Sequence, residues 1–167
     1  MIVTRKEGTM INYRPIIDGF PLDELDMPEA FKAAVRPVVE YLLCTHASFS
    51  VAIRLASLML ESYRGPLRMS DAFTRAHPEN RIDLYSSEDV YFAFFLLLLA
   101  AKADNLYSIQ AERQTGLCAA YSVNSPQDNE TCSQCRERCH AAPLADAAYH
   151  TVPPFHVACR CGLIFSK

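Results

Sequence analysis

The sequence predicts a mainly α-helical body followed by a small C-terminal α+β module held together by a bound ion in place of an apolar core. Three observations predict it. Two long stretches, 38–63 and 87–116, carry apolar side chains at helical spacing. The last forty residues hold few large apolar side chains, and five of the seven cysteines (Cys132, Cys135, Cys139, Cys159 and Cys161) lie among them. The chain of 167 residues is long enough for one domain with a small appendage and too short for two large ones. Half of it is hydrophobic and 21% charged, which excludes a disordered chain. A net charge of −3 gives none of the overall positive excess that non-specific nucleic-acid binding needs.

Taken in order, the opening segment to about Asp26 mixes Pro15, Gly19 and Pro21 with acidic residues and reads as an extended arm. It contains no apolar run of signal-peptide length, so no export signal is expected. A first helix is expected to begin near Pro28, where proline is tolerated, and to break or kink at Pro37. In 38–63 the side chains Val39, Leu42, Leu43, Val51, Leu55, Leu58 and Met59 recur at helical spacing, and Gly65-Pro66 is the stop. The next helix is expected to start at Ser86 or Ser87, with a hydroxyl capping free amides and Glu88 and Asp89 facing the dipole, and to run to Gly116. From 90 to 101 it is apolar on every face and is therefore the central helix. Both 38–60 and 90–101 invite a membrane reading; the first is interrupted by Glu40, His46 and Arg54, and the second falls short of the roughly 20 residues a span requires. Both are expected to be buried helices. Residues 117–123 have strand character and 124–129 is a turn-rich link, which places the boundary between a 1–123 helical domain and a 124–167 module. The tail then reads as loops, a helical turn near 144–149 and a strand at 163–165.

Cys132-Ser-Gln-Cys135 has the two-residue gap that lets both sulfurs of one turn face the same ion, and after a spacer of twenty residues His156-Val-Ala-Cys159-Arg-Cys161 supplies three further donors. An odd number of cysteines with no export signal argues for metal or redox use over a disulfide framework. A structural Zn2+ replaces the missing core, contributing on the order of 10 kcal/mol or more to ordering such a module. Five candidates compete for four places: Cys132, Cys135, Cys159 and Cys161 are favoured, with His156 replacing one cysteine or lying behind them. Cys139 and His140 fall beyond the first turn. An iron–sulfur cluster is the competing cofactor. No acid stands in a recognised catalytic zinc motif, so the site is read as structural and the chain as not an enzyme.

These residues resemble the C-terminal domain of phage head morphogenesis proteins, the minor capsid family typified by the Mu F protein and the SPP1 minor head protein. The likeness lies in Asp128 shortly before Cys132-Ser-Gln-Cys135, and in Pro153-Pro154-Phe155-His156-Val157-Ala158-Cys159-Arg160-Cys161. It covers about 110–165. A small residue usual after the first pair is replaced here by residues 136–140, and Val157 stands where proline usually follows the histidine. The resemblance implies a virion protein contacting portal or capsid proteins, located in the virion or in the cytoplasm of the infected bacterial host, with no membrane. The alternatives are a small zinc-containing regulator that binds a host protein or nucleic acid, and an enzyme built on the same cluster.

Other residues read more plainly. His46 is a core or surface histidine, Cys44 and Cys118 are small buried hydrophobes, and His77 earns no role. Tyr91, Phe92, Phe94 and Phe95 are packing. Arg136, Arg138, Arg160 and Lys167 suggest a basic surface, but Glu130, Glu137, Asp146 and the thiolates of a zinc site offset it.

Overall fold

The computed structural model describes residues 11–24, 29–62, 87–139, 141–156 and 159–167. Pro28, Gly65-Pro66, His77, Ser86, His140 and Val157 lie outside them. The described chain is mainly helical with one two-stranded sheet: α1 (Arg14–Asp18), α2 (Glu29–Cys44), α3 (Phe49–Ser62), α4 (Glu88–Gln114), β1 (Ala120–Asn124), α5 (Ser133–Cys139) and β2 (Gly162–Ser166).

The central position of α4 follows from its composition. Tyr91, Phe92, Phe95, Leu96, Leu98, Leu99, Leu106 and Ile109 are buried on different sides of it, and α1, α2 and α3 all pack against it. By length and composition α4 is apolar enough to cross a membrane, its apolar window running beyond 90–101; within this fold 61% of that window is enclosed by protein. Its start is not as expected. Ser87 holds the cap position, but its hydroxyl bonds the Asp89 carboxylate and caps no amide. Asp89 also accepts from Val90 N–H at 2.9 Å and from the Ser57 hydroxyl of α3 at 3.1 Å. The Ser87 bond, first among these, holds the Asp89 carboxyl below the usual carboxylate range. The far end is as the sequence predicts: Gly116 takes φ +69° and its N–H bonds Arg113 C=O while Leu117 N–H bonds Glu112 C=O, a left-handed cap that glycine adopts without strain.

Pro37 does not end a helix. It lies inside α2, on an exposed face with Ala33, so the Ala33 carbonyl that loses its partner remains open to water. The break falls instead at residues 45–48. His46 adopts φ +48°, its N–H bonds Leu43 C=O at 3.2 Å, and Ala47 N–H bonds Leu42 C=O at 3.0 Å. This is the same cap with histidine in the glycine position. The periodicity of 38–63 therefore restarts at Phe49: α3 buries Ala52, Ala56 and Met59, while Leu58 is exposed. Cys44, expected inside, is exposed; Cys118 is buried as expected. Replacing Pro37 with alanine is expected to raise stability by about 1–3 kcal/mol, because alanine restores the missing backbone bond at a site already helical. Thermal unfolding of Pro37→Ala reads this as a rise of several degrees; an unchanged or lower midpoint would contradict it.

Over its described residues, 11–24, the opening segment is not an extended arm. Over 14–18 it is helical, and Tyr13, Ile17, Phe20 and Leu22 enter the main core. The Tyr13 hydroxyl donates to Asp104 of α4 at 2.8 Å, and Arg14 bridges to Glu40 of α2 at 3.2 Å.

Beyond α4 the chain turns back on itself. β1 and β2 pair antiparallel with Tyr121 opposite Phe165, and Tyr121 also exchanges both backbone bonds with Leu144 on its other side. No helical turn forms at 144–149; the tail's helix is α5, in the segment read as loop. Its N-terminus explains why. The Cys132 sulfur occupies the cap position and accepts Cys135 N–H at 3.4 Å, the role an Asp or Ser oxygen usually plays.

The tail is fastened to the body as well as to itself. Tyr121 and Val152 are fully buried in the main core, with Leu144, Ala147, Tyr149 and Leu163 packed against it. Lys102 of α4, 3% exposed, donates to the carbonyls of Tyr149 and Val152, both at 2.7 Å, and Asn105 donates to Pro153 C=O at 2.9 Å. The Pro153-Pro154 bond is cis.

Candidate metal centre

Two segments far apart in sequence meet beside Val123 of β1. The first is the turn before α5. Asp128 accepts from Glu130 N–H at 3.1 Å and from the Thr131 hydroxyl at 2.9 Å, an arrangement that fixes the approach to Cys132. The second comprises residues 155–156 and 159–161, the latter just before β2. It is held from behind, since Phe155 is buried with the Arg138 guanidinium of α5 at 4.5 Å and the Lys102 ammonium at 5.5 Å from its ring centre.

Between them the five sequence-predicted donors converge. The His156 Nε2 lies 3.1 Å from the Cys132 sulfur and 3.0 Å from the Cys135 sulfur, and the Cys135 and Cys159 sulfurs are 3.7 Å apart. Cys132, Cys135 and His156 form one group with all ligand atoms within 4.8 Å of one another; Cys135, Cys159 and Cys161 form a second. None of these cysteines is in a disulfide. Around a tetrahedral zinc, with bonds of about 2.3 Å to sulfur and about 2.0 Å to nitrogen, ligand atoms lie about 3.5–3.8 Å apart; the Cys135–Cys159 separation has that spacing, and the two sulfur–nitrogen distances to His156 are shorter, so the imidazole must move outward to admit an ion. The groups can hold a metal ion.

The surroundings fit a cation. A cavity of about 20 Å³ beside the donors is lined by Cys132, Cys135, His156 and Cys161 together with Ser125, Glu130 and Arg160. Burial pushes the Cys161 thiol up to about 11 and the Cys135 thiol further up, so both hold their protons at neutral pH until a cation takes the proton's place. Cys139 stays apart, its sulfur accepting from the Gln127 amide at 2.7 Å.

One partnership was hidden from sequence reasoning. Arg160, between the last two cysteines, makes a two-pronged ion pair with Asp128, ahead of the first two, at 2.5 and 2.8 Å. The Arg160 guanidinium brings the Asp128 carboxyl down to about 2. Arg136 donates to the Asp128 carbonyl at 3.1 Å and Arg138 to the His150 carbonyl at 2.6 Å, so three of the four side chains of the suggested basic surface are committed within the tail. Lys102 was also missed; a single charge directly after twelve apolar residues is the signal that marks it. Burial lowers its pKa to about 7.

Compared with protein-family models, with curated proteins and with solved structures, the chain matches none.

Proposed function

We propose that this chain is a phage structural or assembly protein, a minor head component associated with portal or capsid, whose C-terminal module is shaped by one structural zinc ion. The observation that carries the reading is the convergence of Cys132 and Cys135 with His156, Cys159 and Cys161, the same residues on which the family resemblance rests. The pairing of Asp128 with Arg160 supports it, because both belong to that motif and tie its two halves together. Once bound, such an ion supplies a rigid cross-link and no redox chemistry. The chain's own residues do the rest: Cys132 at the cap of α5 and Cys135 within it present two sulfurs from one turn, Phe155 fixes the backbone beside His156, and the last cysteines stand just before β2, which pairs with β1. A structural role is favoured over a catalytic one, since five donors exceed four coordination places and the nearest acid, Glu130, has a side chain 84% exposed.

Elemental analysis of the purified chain is expected to find about one zinc per molecule, and the Cys132→Ser/Cys159→Ser variant, which breaks both donor groups, almost none. A folded, metal-free wild type would remove the zinc. Mass spectrometry of purified phage particles tests the biological role: the chain is expected at low copy beside portal and capsid proteins, and its absence from particles would remove the virion assignment.

A further inference from the structure

The cluster contains more ligand atoms than one tetrahedral ion can use, and their arrangement says which are interchangeable. Any two faces of a tetrahedron share two corners. The two donor groups here, Cys132–Cys135–His156 and Cys135–Cys159–Cys161, share only Cys135, so they cannot both be faces around the same ion. No four of the five donors all lie within 4.8 Å of one another, so a single ion takes one group as its face and must draw its fourth ligand inward from the other.

Resting on the zinc reading above, we infer that the site has two alternative coordination arrangements pivoting on Cys135, with Cys135 indispensable and each of the other four donors singly replaceable. Loss of Cys132 or His156 leaves the second group whole with one donor to spare from the first. Loss of Cys159 or Cys161 leaves the first group whole with one donor to spare from the second. Only loss of Cys135 leaves neither. The placement of Cys135 agrees with this pivotal role: it is the most buried of the five, 3% exposed, and packs with Val123 and Phe155, whereas the other four are half-buried around it. One donor at a time is then uncoordinated, so the ion is held by a ligand set that exchanges at its edges and stays fixed at its centre.

The test uses the full chain and zinc alone. Single alanine variants of Cys132, His156, Cys159 and Cys161 are each expected to retain about one zinc per molecule, and Cys135→Ala less than about a tenth of that. Zinc retained by Cys135→Ala, or lost from any one of the other four, would overturn the inference, as would two zinc ions in the wild type. Because a variant can fail for reasons of folding, a second measurement uses only the zinc-loaded wild type. Alkylation with iodoacetamide, mapped by mass spectrometry, is expected to mark Cys132, Cys159 and Cys161 each in part, with exposed Cys44 as the reactive control. Marking confined to one of the cluster cysteines, or absent from all of them, would mean a fixed ligand set and end the proposal. A wild type that binds no zinc would instead remove the reading beneath it.

Discussion

Stripping zinc from the folded chain with a strong chelator is expected to unravel half of the tail and leave the other half in place. The division follows from what holds each part. Around the donors the apolar packing among the described residues consists of Val123, Cys135 and Phe155 with the flanking cysteines, far too little to order 126–139, 155–156 and 159–161 unaided. A structural zinc contributes on the order of 10 kcal/mol or more to such a module, strongly dependent on pH, and its removal returns that ordering to the solvent-exposed chain. Residues 144–152 have other anchors: Val152 in the main core, the two carbonyls held by Lys102, and the Leu144 bridge to β1. Amide hydrogen exchange should therefore show protection lost over 126–139 and 159–161, with α4 and the 144–152 amides still protected. Uniform protection before and after chelation would show that the ion does not organise the tail.

Tyr121→Ala is expected to destabilise the protein by about 3–5 kcal/mol, the range for emptying a fully buried aromatic site. Tyr121 is 0% exposed and stands where three parts meet. Its backbone is paired to Leu144, its ring is in the main core, and its hydroxyl lies 2.8 Å from the Thr151 hydroxyl and donates to Asp146 C=O at 3.2 Å. Removing the ring opens a cavity and leaves Thr151 without that partner, so two costs add. Tyr121→Phe keeps the ring and loses the hydroxyl bonds alone, which should cost about 1 kcal/mol. Denaturant unfolding of both variants separates the terms; a Tyr121→Ala loss below about 1 kcal/mol would show that the strand does not join tail and body.

Much of this was readable because the physics is local. The uniform apolar composition of 90–101 and the Gly116 stop define α4, and the spacing of the five donors anticipates where they gather. What sequence could not reveal is where a local signal is overruled. Pro37 sits within α2 because the carbonyl it orphans faces water, and α2 ends instead on His46, which carries neither the glycine nor the proline that usually marks such a site. The opening segment looks extended by its prolines, yet residues 11–24 are folded onto the body because Tyr13, Ile17, Phe20 and Leu22 find a core supplied by distant helices. α5 lacks an apolar stripe of its own; a sulfur cap and the meeting of distant segments make it helical. The anchorage of the tail by Lys102 depends on carbonyls almost fifty residues away, which no window of sequence contains.

Cys159, Arg160 and Cys161 alternate, with the two sulfurs beside Cys135 and the guanidinium on Asp128. This segment lies just before β2, outside the paired strand, so the sheet alone does not fix its position. A shift by a single residue would put arginine where a cysteine belongs. The carboxylate of Asp128 thus acts as a phasing mark: as the ion gathers the two segments, its pairing with Arg160 favours the in-register threading and leaves the choice among near-equivalent sulfurs to the ion itself.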